Sequence, residues 1–199
     1  RFLSPVFHGR GDGGAAEWPP SPRRLFQAIV AASARAALLE EQRTVDALNW
    51  LAEKGAPIIV APPFETPTGF CVSVPNNAMD LMARAWTRKR GSGSGRDGGG
   101  GYRALKRIRP TWMRGTDGTE VAVHFLWRIG CVGTADRGAA EALCGLVEGL
   151  HSLGWGIDFV VGSGAFLPEA EIRRLRGEWW HPSDRETREG LRVAVVGTL

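Results

Sequence analysis

Apolar and polar residues alternate most clearly over 121–129. Val121, Val123, Phe125, Trp127 and Ile129 take every second position, and Arg128 falls between them. A period of two lines one face of a strand, so this segment predicts a half-buried strand. Upstream the period changes. Leu25, Ile29, Ala32, Ala36 and Leu39 recur at helical spacing and predict an amphipathic helix. Ser21 offers a hydroxyl to the first orphan N–H groups, and Pro22 suits the first helical position, where no N–H is needed. A second helical stretch over 45–54 stops at Gly55. A third runs from Thr134 or Asp136 to about Leu153, with Leu143, Leu146, Val147 and Leu150 on its apolar face and Gly154 closing it. Short β-branched and aromatic runs at 57–61, 70–74, 157–161 and 191–196 predict strands, and Phe2, Val6 and Phe7 the end of a first one.

The order is strand, helix, strand or strand pair, insertion, strand, helix, strand. This βαββαβ order predicts an α+β, ferredoxin-like fold: one domain over 1–199, with an insertion at 78–115 between the second and third strands. The length of 199 residues suits one domain and buries a core without disulfide or metal staples. Cys71, Cys131 and Cys144 show no CxxC spacing, so reduced thiols and a cytoplasmic setting are expected. No apolar run approaches the ~18–20 residues of a membrane span, and no segment reads as a signal peptide. No membrane partner is expected. The chain opens at Arg1 and stops just past an apolar run, so a longer parent is expected.

Charge changes the picture more than composition does. The formal total is only +4, but residues 84–114 hold ten basic side chains against one acid, Asp97. That segment carries +9 and everything else −5. Within it, 91–101 contains seven glycines and two serines, the composition of a flexible tip. Trp86, Tyr102, Leu105, Ile108, Trp112 and Met113 are interleaved with the cations. A charge run is ordinarily a solvated face. So dense a run of one sign repels itself unless an anion arrives, and arginine beside aromatic rings suits single-stranded nucleic acid. Arg84, Arg88, Lys89, Arg90, Arg103, Lys106, Arg107 and Arg109 are therefore the main candidates for RNA phosphate contacts. Ser21, Arg23 and Arg24 are a second group, at a helix start where N–H groups and the dipole favour an anion. A plain cap with solvated arginines accounts for them equally well.

Other candidates are weaker. Among the scattered histidines, His8 beside Gly9 and Arg10 is the one placed to act as a base in metal-free RNA cleavage. No HExxH, paired-carboxylate or Cys/His spacing is present, so no metal, cofactor or catalytic residue is expected. Gly162-Ser163-Gly164 reads as a close approach to a phosphate or as a simple turn. Trp179-Trp180-His181-Pro182 is an aromatic cluster in an irregular segment, suited to packing over the core edge or a partner.

The run Trp18-Pro19-Pro20-Ser21-Pro22-Arg23-Arg24-Leu25-Phe26-Gln27-Ala28 resembles the amino-terminal signature of a CRISPR-associated family. This is the handle-binding subunit ("Cas five", of the RAMP superfamily) of type I-G, formerly I-U, Cascade complexes. Phe7-His8-Gly9-Arg10, the stretch Arg103 to Thr111 and His124-Phe125-Leu126-Trp127 are similar to it as well, in the same order. The resemblance implies an RRM-like fold with a thumb between the second and third strands. It implies binding of the 5′ handle of CRISPR RNA, and capping of a filament of backbone subunits in an antiviral ribonucleoprotein complex. A large subunit and, through the complex, target DNA would be further partners, and some thumb residues would pack on a neighbouring subunit. An RNA-cleaving domain frequent in such proteins would begin near the end of this chain, so binding without catalysis is expected here. Two readings compete: a metal-independent endoribonuclease acting on precursor CRISPR RNA, and a stand-alone RRM-like RNA-binding protein. Against the second, Phe125 and Trp127 share a face with valines and are expected in the core.

Overall fold

A computed structural model of the protein describes residues 1–11, 14–75, 103–115, 121–129, 134–183 and 190–198. It divides into two units: a body, Arg1–Thr66 with Pro110–Leu199, and an arm, Pro67–Arg109.

The first helix of the body, α1 (Pro22–Arg35), begins as its capping residues dictate. Ser21 is extended, and its hydroxyl accepts from the Arg24 N–H at 3.4 Å. Leu25, Phe26, Ile29 and Ala32 are buried. The helical face does not continue to Leu39. Ala37 takes a left-handed conformation, φ 55°, and Leu38–Glu40 forms one 3-10 turn. Next, α2 (Gln42–Glu53) is followed by Gly55 at φ +69°, a conformation that favours glycine. The helix α3 (Thr134–Glu148) ends at Glu148 rather than near Leu153. There the Gly149 and Leu150 N–H groups bond to the carbonyls three residues back and tighten the last turn. Leu150 and Leu153 stay buried as the chain turns. A single turn, α4 (Glu169–Ile172), follows.

The strands in chain order are β1 (Val6–Phe7), β2 (Ile58–Ala61), β3 (Phe64–Glu65), β4 (Phe70–Pro75), β5 (Arg103–Ile108), β6 (Thr111–Met113), β7 (His124–Leu126) and β8 (Glu178–Trp180). In the body they form two small antiparallel sheets, ordered β1-β6-β3 and β7-β2-β8. The fold is thus mixed, with helices beside antiparallel sheets, as expected for the α+β class.

Three local expectations are corrected. The strand expected at 157–161 is reduced to isolated bridges, Phe2 with Val160 and Ser152 with Phe159. Backbone bonds nevertheless hold residues 1–3 between two segments: Leu3 N to Phe159 O at 3.0 Å and Val161 N to Arg1 O at 2.8 Å on one side, Phe2 N to Val121 O at 2.8 Å on the other. The strand expected at 191–196 is irregular backbone ending in a turn. The Arg192 carbonyl accepts from the Arg23 N–H at 2.9 Å, so it satisfies the first turn of α1 instead of a sheet neighbour. Conversely, Trp179-Trp180 is not irregular. It forms β8 along β2, with Trp179 opposite Val60 and Trp180 opposite Ile59, in keeping with the strand preference of aromatics.

The core joins α1, α2 and α3 to the sheets through Phe7, Phe26, Ile29, Leu48, Ile59 and Met113. Val121, Val123, Phe125, Trp127 and Ile129 pack against this cluster, but the strand expected over 121–129 is reduced to β7, and Ala122, His124 and Leu126 are partly buried like their neighbours. The Trp50 indole donates to Asp136 at 2.7 Å and Lys54 pairs with the same carboxylate at 2.9 Å, tying α2 to α3. Among the described residues no helix is long and apolar enough to cross a membrane.

The arm is an antiparallel hairpin of β4 and β5, in register from Phe70 opposite Ile108 to Pro75 opposite Arg103. Strand pairing sets its edges: Phe70–Pro75 pairs within the arm, whereas Thr111–Met113 pairs in the body.

Candidate nucleic-acid interface

On the arm, Lys106, Arg107 and Arg109 are exposed, and Arg103 opens β5. Register puts Lys106 opposite Val72 and Arg107 opposite Cys71. Successive strand residues point to opposite faces, so the two cations project from the two sides of the hairpin. Leu105, which precedes Lys106 on the same strand, is 77% exposed. Arg84, Arg88, Lys89 and Arg90 lie outside the described residues. Arg114, part of the basic run in sequence, belongs to the body and pairs with Glu65.

The second candidate group is split. Ser21 is buried and acts as a cap. Arg24 is a fork inside the fold: Nε donates to Glu17 Oε1 at 2.9 Å, and Nη2 to Glu17 Oε2 at 2.8 Å and the Arg10 carbonyl at 3.1 Å. Glu17 Oε1 also accepts from the Ser21 N–H at 2.8 Å. The hydrogen-bonded Glu17 carboxylate lifts the Arg24 pKa above its ordinary value, outweighing the burial that would lower it. Arg23 is half-exposed, and its side chain has no ion pair among the described residues. Sequence reading missed Glu17. Its signal was an acid just before the cap, which a buried arginine in the first helical turn requires.

His8 proves to be tightly held. Its Nδ1 lies 2.7 Å from Asp158 Oδ1, and its backbone N–H reaches both carboxylate oxygens, at 3.1 and 3.2 Å. The Trp155 N–H donates to Asp158 Oδ2 at 2.9 Å. Asp158 is only 1% exposed, and these donors replace its water. Between them Gly154 sits at φ +117°, and a Cβ there would come within 2.7 Å of Asp158 Oδ2 and 2.9 Å of the Phe7 ring. The His8 ring stacks on Trp155, centroids 5.8 Å apart at 17°, and the Arg10 guanidinium lies 5.7 Å from the centre of the same tryptophan ring. Sequence reading singled out His8 but neither Asp158 nor Trp155. The segment turns Asp158 and Val160 inward and Ile157, Phe159 and Val161 outward, the reverse of what the apolar positions suggest.

Of the remaining candidates the glycines serve packing, whereas Trp179 and Trp180 stay exposed. A Cβ at Gly162 would meet the Val147 carbonyl at 2.1 Å, and one at Gly164 would meet Cys144 at 2.6 Å, so both glycines allow close approach to α3. Trp179 stacks on His181 at 6.3 Å.

Body and arm define a small α+β protein that carries a cationic β-hairpin. Residues 3–199 match the family described as CRISPR-associated protein, GSU0054 family, and the chain belongs to it. It is thereby a component of CRISPR–Cas defence. No match was found among curated proteins or among solved structures.

Proposed function

We propose that the chain is the subunit of a type I-G surveillance complex, Cascade, that grips the 5′ handle of CRISPR RNA and caps the backbone filament. The observation that carries this reading is the hairpin: Lys106, Arg107 and Arg109 exposed on an arm of strong positive charge, in a chain of a CRISPR-associated family. Residues 1–199 are then one RRM-like, ferredoxin-like RNA-binding domain of the RAMP kind, with the arm as its thumb. The bonds that hold residues 1–3 between 121 and 159–161, and the pairing of β7 with β2, support that strand order. Arg84, Arg88, Lys89, Arg90, Arg103, Lys106, Arg107 and Arg109 supply phosphate contacts or pack on a backbone subunit; Ser21, Arg23 and Arg24 form a second contact region. Partners are CRISPR RNA, the backbone and large subunits and, through them, target DNA, in the cytoplasm. Base pairing elsewhere in the complex reads the target.

The test is co-purification and crosslinking. Expressed with its genomic neighbours, the chain should enter a complex, with RNA crosslinks mapping to the arm. Purification alone, carrying mixed RNA, overturns the Cascade reading. A second reading is favoured by one observation. His8 on Asp158, beside Arg10, has the parts of a metal-independent ribonuclease: a base for the 2′-hydroxyl and a cation for the developing charge. Cleavage of labelled repeat RNA in EDTA that is lost in His8→Ala would establish it in place of the non-catalytic reading.

A further inference from the structure

The body carries an apolar surface outside its core. Residues 1–3 run beside 159–161, held by the Leu3 N–H to the Phe159 carbonyl at 3.0 Å and the Val161 N–H to the Arg1 carbonyl at 2.8 Å. Phe2 bridges Val160 in this antiparallel pair, and both side chains are buried in the core cluster. Successive residues of extended backbone point to opposite faces, so the neighbours of Phe2 and Val160 turn outward together. Leu3 is 61% exposed, Ile157 57%, Phe159 52% and Val161 45%. The backbone bonds set these side chains next to one another, so they form one row and not scattered exposures.

Charge and area say what fits there. From Gly149 to Leu167 the chain has no Lys, Arg or Glu, and its one acid, Asp158, is buried and bonded to His8 and Trp155. Along 1–3 and 157–161 the only charge that alternation turns outward is Arg1, at one end of the row. A different protein is selected through complementary charges that steer it and fix its register, and this face offers almost none. A copy of the same chain needs none, and an uncharged face meets its own mate without setting like charges opposite each other. The four side chains expose about 400 Å² of apolar surface, the size of patch that marks a contact site. That is close to the apolar share of one side of a standard interface, roughly 800 Å² per partner at about 57% apolar.

We infer that the face built on Leu3, Ile157, Phe159 and Val161 binds a second copy of the chain, sheet against sheet. A two-fold axis across the strands stacks the two Leu3–Phe159 rows on each other and sends the two Arg1 side chains to opposite ends. Face-to-face packing with strands near alignment is a recurrent way to cover such a surface. The pairing uses neither the arm nor RNA, and it does not rest on the function proposed above.

The test is sedimentation equilibrium of the whole chain, nuclease-treated and in high salt, from about 1 to 200 μM, the range of a weak dimer. The average mass should rise with concentration toward twice that of one chain. Leu3→Lys with Phe159→Lys should raise the dissociation constant about a hundredfold, because each new charge lands in the apolar centre opposite its own mate. Phe159→Leu should keep the constant within about threefold of the original, since shape and polarity are largely conserved. Lys106, Arg107 and Arg109 changed together to Gln should leave it unchanged. Thermal midpoints show which variants fold; both lysines replace side chains that are more than half exposed. If that pair does not fold, Ile157→Lys with Val161→Lys carries the same expectation. A single-chain mass at every concentration overturns the pairing. So does a dimer that survives the lysine pair, or one that dissolves in the arm variant. A chain that is single on its own, with 157–161 protected from hydrogen exchange only in a co-purified complex, assigns the face to another subunit and overturns the inference as well.

Discussion

The body pairs polar and charged side chains within itself, and the described cations of the arm have no such partner. In the body Glu17 holds Arg24, Asp158 holds His8 and Asp136 holds Lys54. On the arm Lys106, Arg107 and Arg109 have no ion pair among the described residues, although Pro67–Arg109 contains nine basic side chains and two acids. Both units leave large apolar residues exposed, Phe70 and Leu105 on the hairpin and Ile157, Phe159 and Val161 among those on the body, but among the described residues the body also gathers a core around three helices. A two-stranded hairpin alone is marginal in water. The cations of the arm therefore do not serve its own stability, and a polyanion would relieve their repulsion.

That contrast can be broken by experiment. The largest effect should follow from neutralising Arg88, Lys89, Arg90, Lys106, Arg107 and Arg109 together. RNA affinity should fall about a thousandfold at low salt and the salt slope should flatten, with the body's melting midpoint unchanged. Anisotropy and calorimetry on the same samples check both halves. Next, Asp158→Ala should cost the body about 3 kcal/mol, because it strands the His8 and Trp155 N–H groups in the interior; chemical denaturation reads this directly. Glu17→Gln should cost about 2 kcal/mol by unpairing Arg24, a partly buried cation. A smaller effect concerns His124, whose pKa burial pushes below the ordinary histidine value. The fold therefore holds its neutral form, and the unfolded chain binds the extra proton as pH falls through the range near 6.5. Stability should decline in that window, and His124→Gln should flatten the decline in a pH series of melts. Smallest of all, Leu105→Ser on the arm should change stability by less than about 0.5 kcal/mol.

Much of the body was legible because its signals are local. Ser21 and Pro22 mark the start of α1, Gly55 follows the end of α2, and the alternation over 121–129 marks the face that meets the core. The losses fell where a distant partner decides. The residues 191–196 have strand composition, yet the Arg192 carbonyl is claimed by the start of α1. Trp179 and Trp180 look like cover for a core edge, yet β2 offers them a free ladder. At the candidate site the cations of the arm were visible as a charge run. The Glu17–Arg24 fork and the His8–Asp158–Trp155 cluster were not, because each depends on which chain segments meet. Cations that sequence alone groups together also separate: Arg24 is locked into the body, whereas Arg23 beside it is not.

The Asp158 carboxylate has a consequence for the order in which the protein is made. Its donors include His8, which precedes it by 150 positions. Leu3 likewise awaits the Phe159 carbonyl. A ribosome adding roughly 5–20 residues per second exposes the opening segment for many seconds before these acceptors exist. Until then residues 1–3 lack the side of their pairing that 159–161 supplies. The body closes only when the segment carrying Asp158 emerges to meet it.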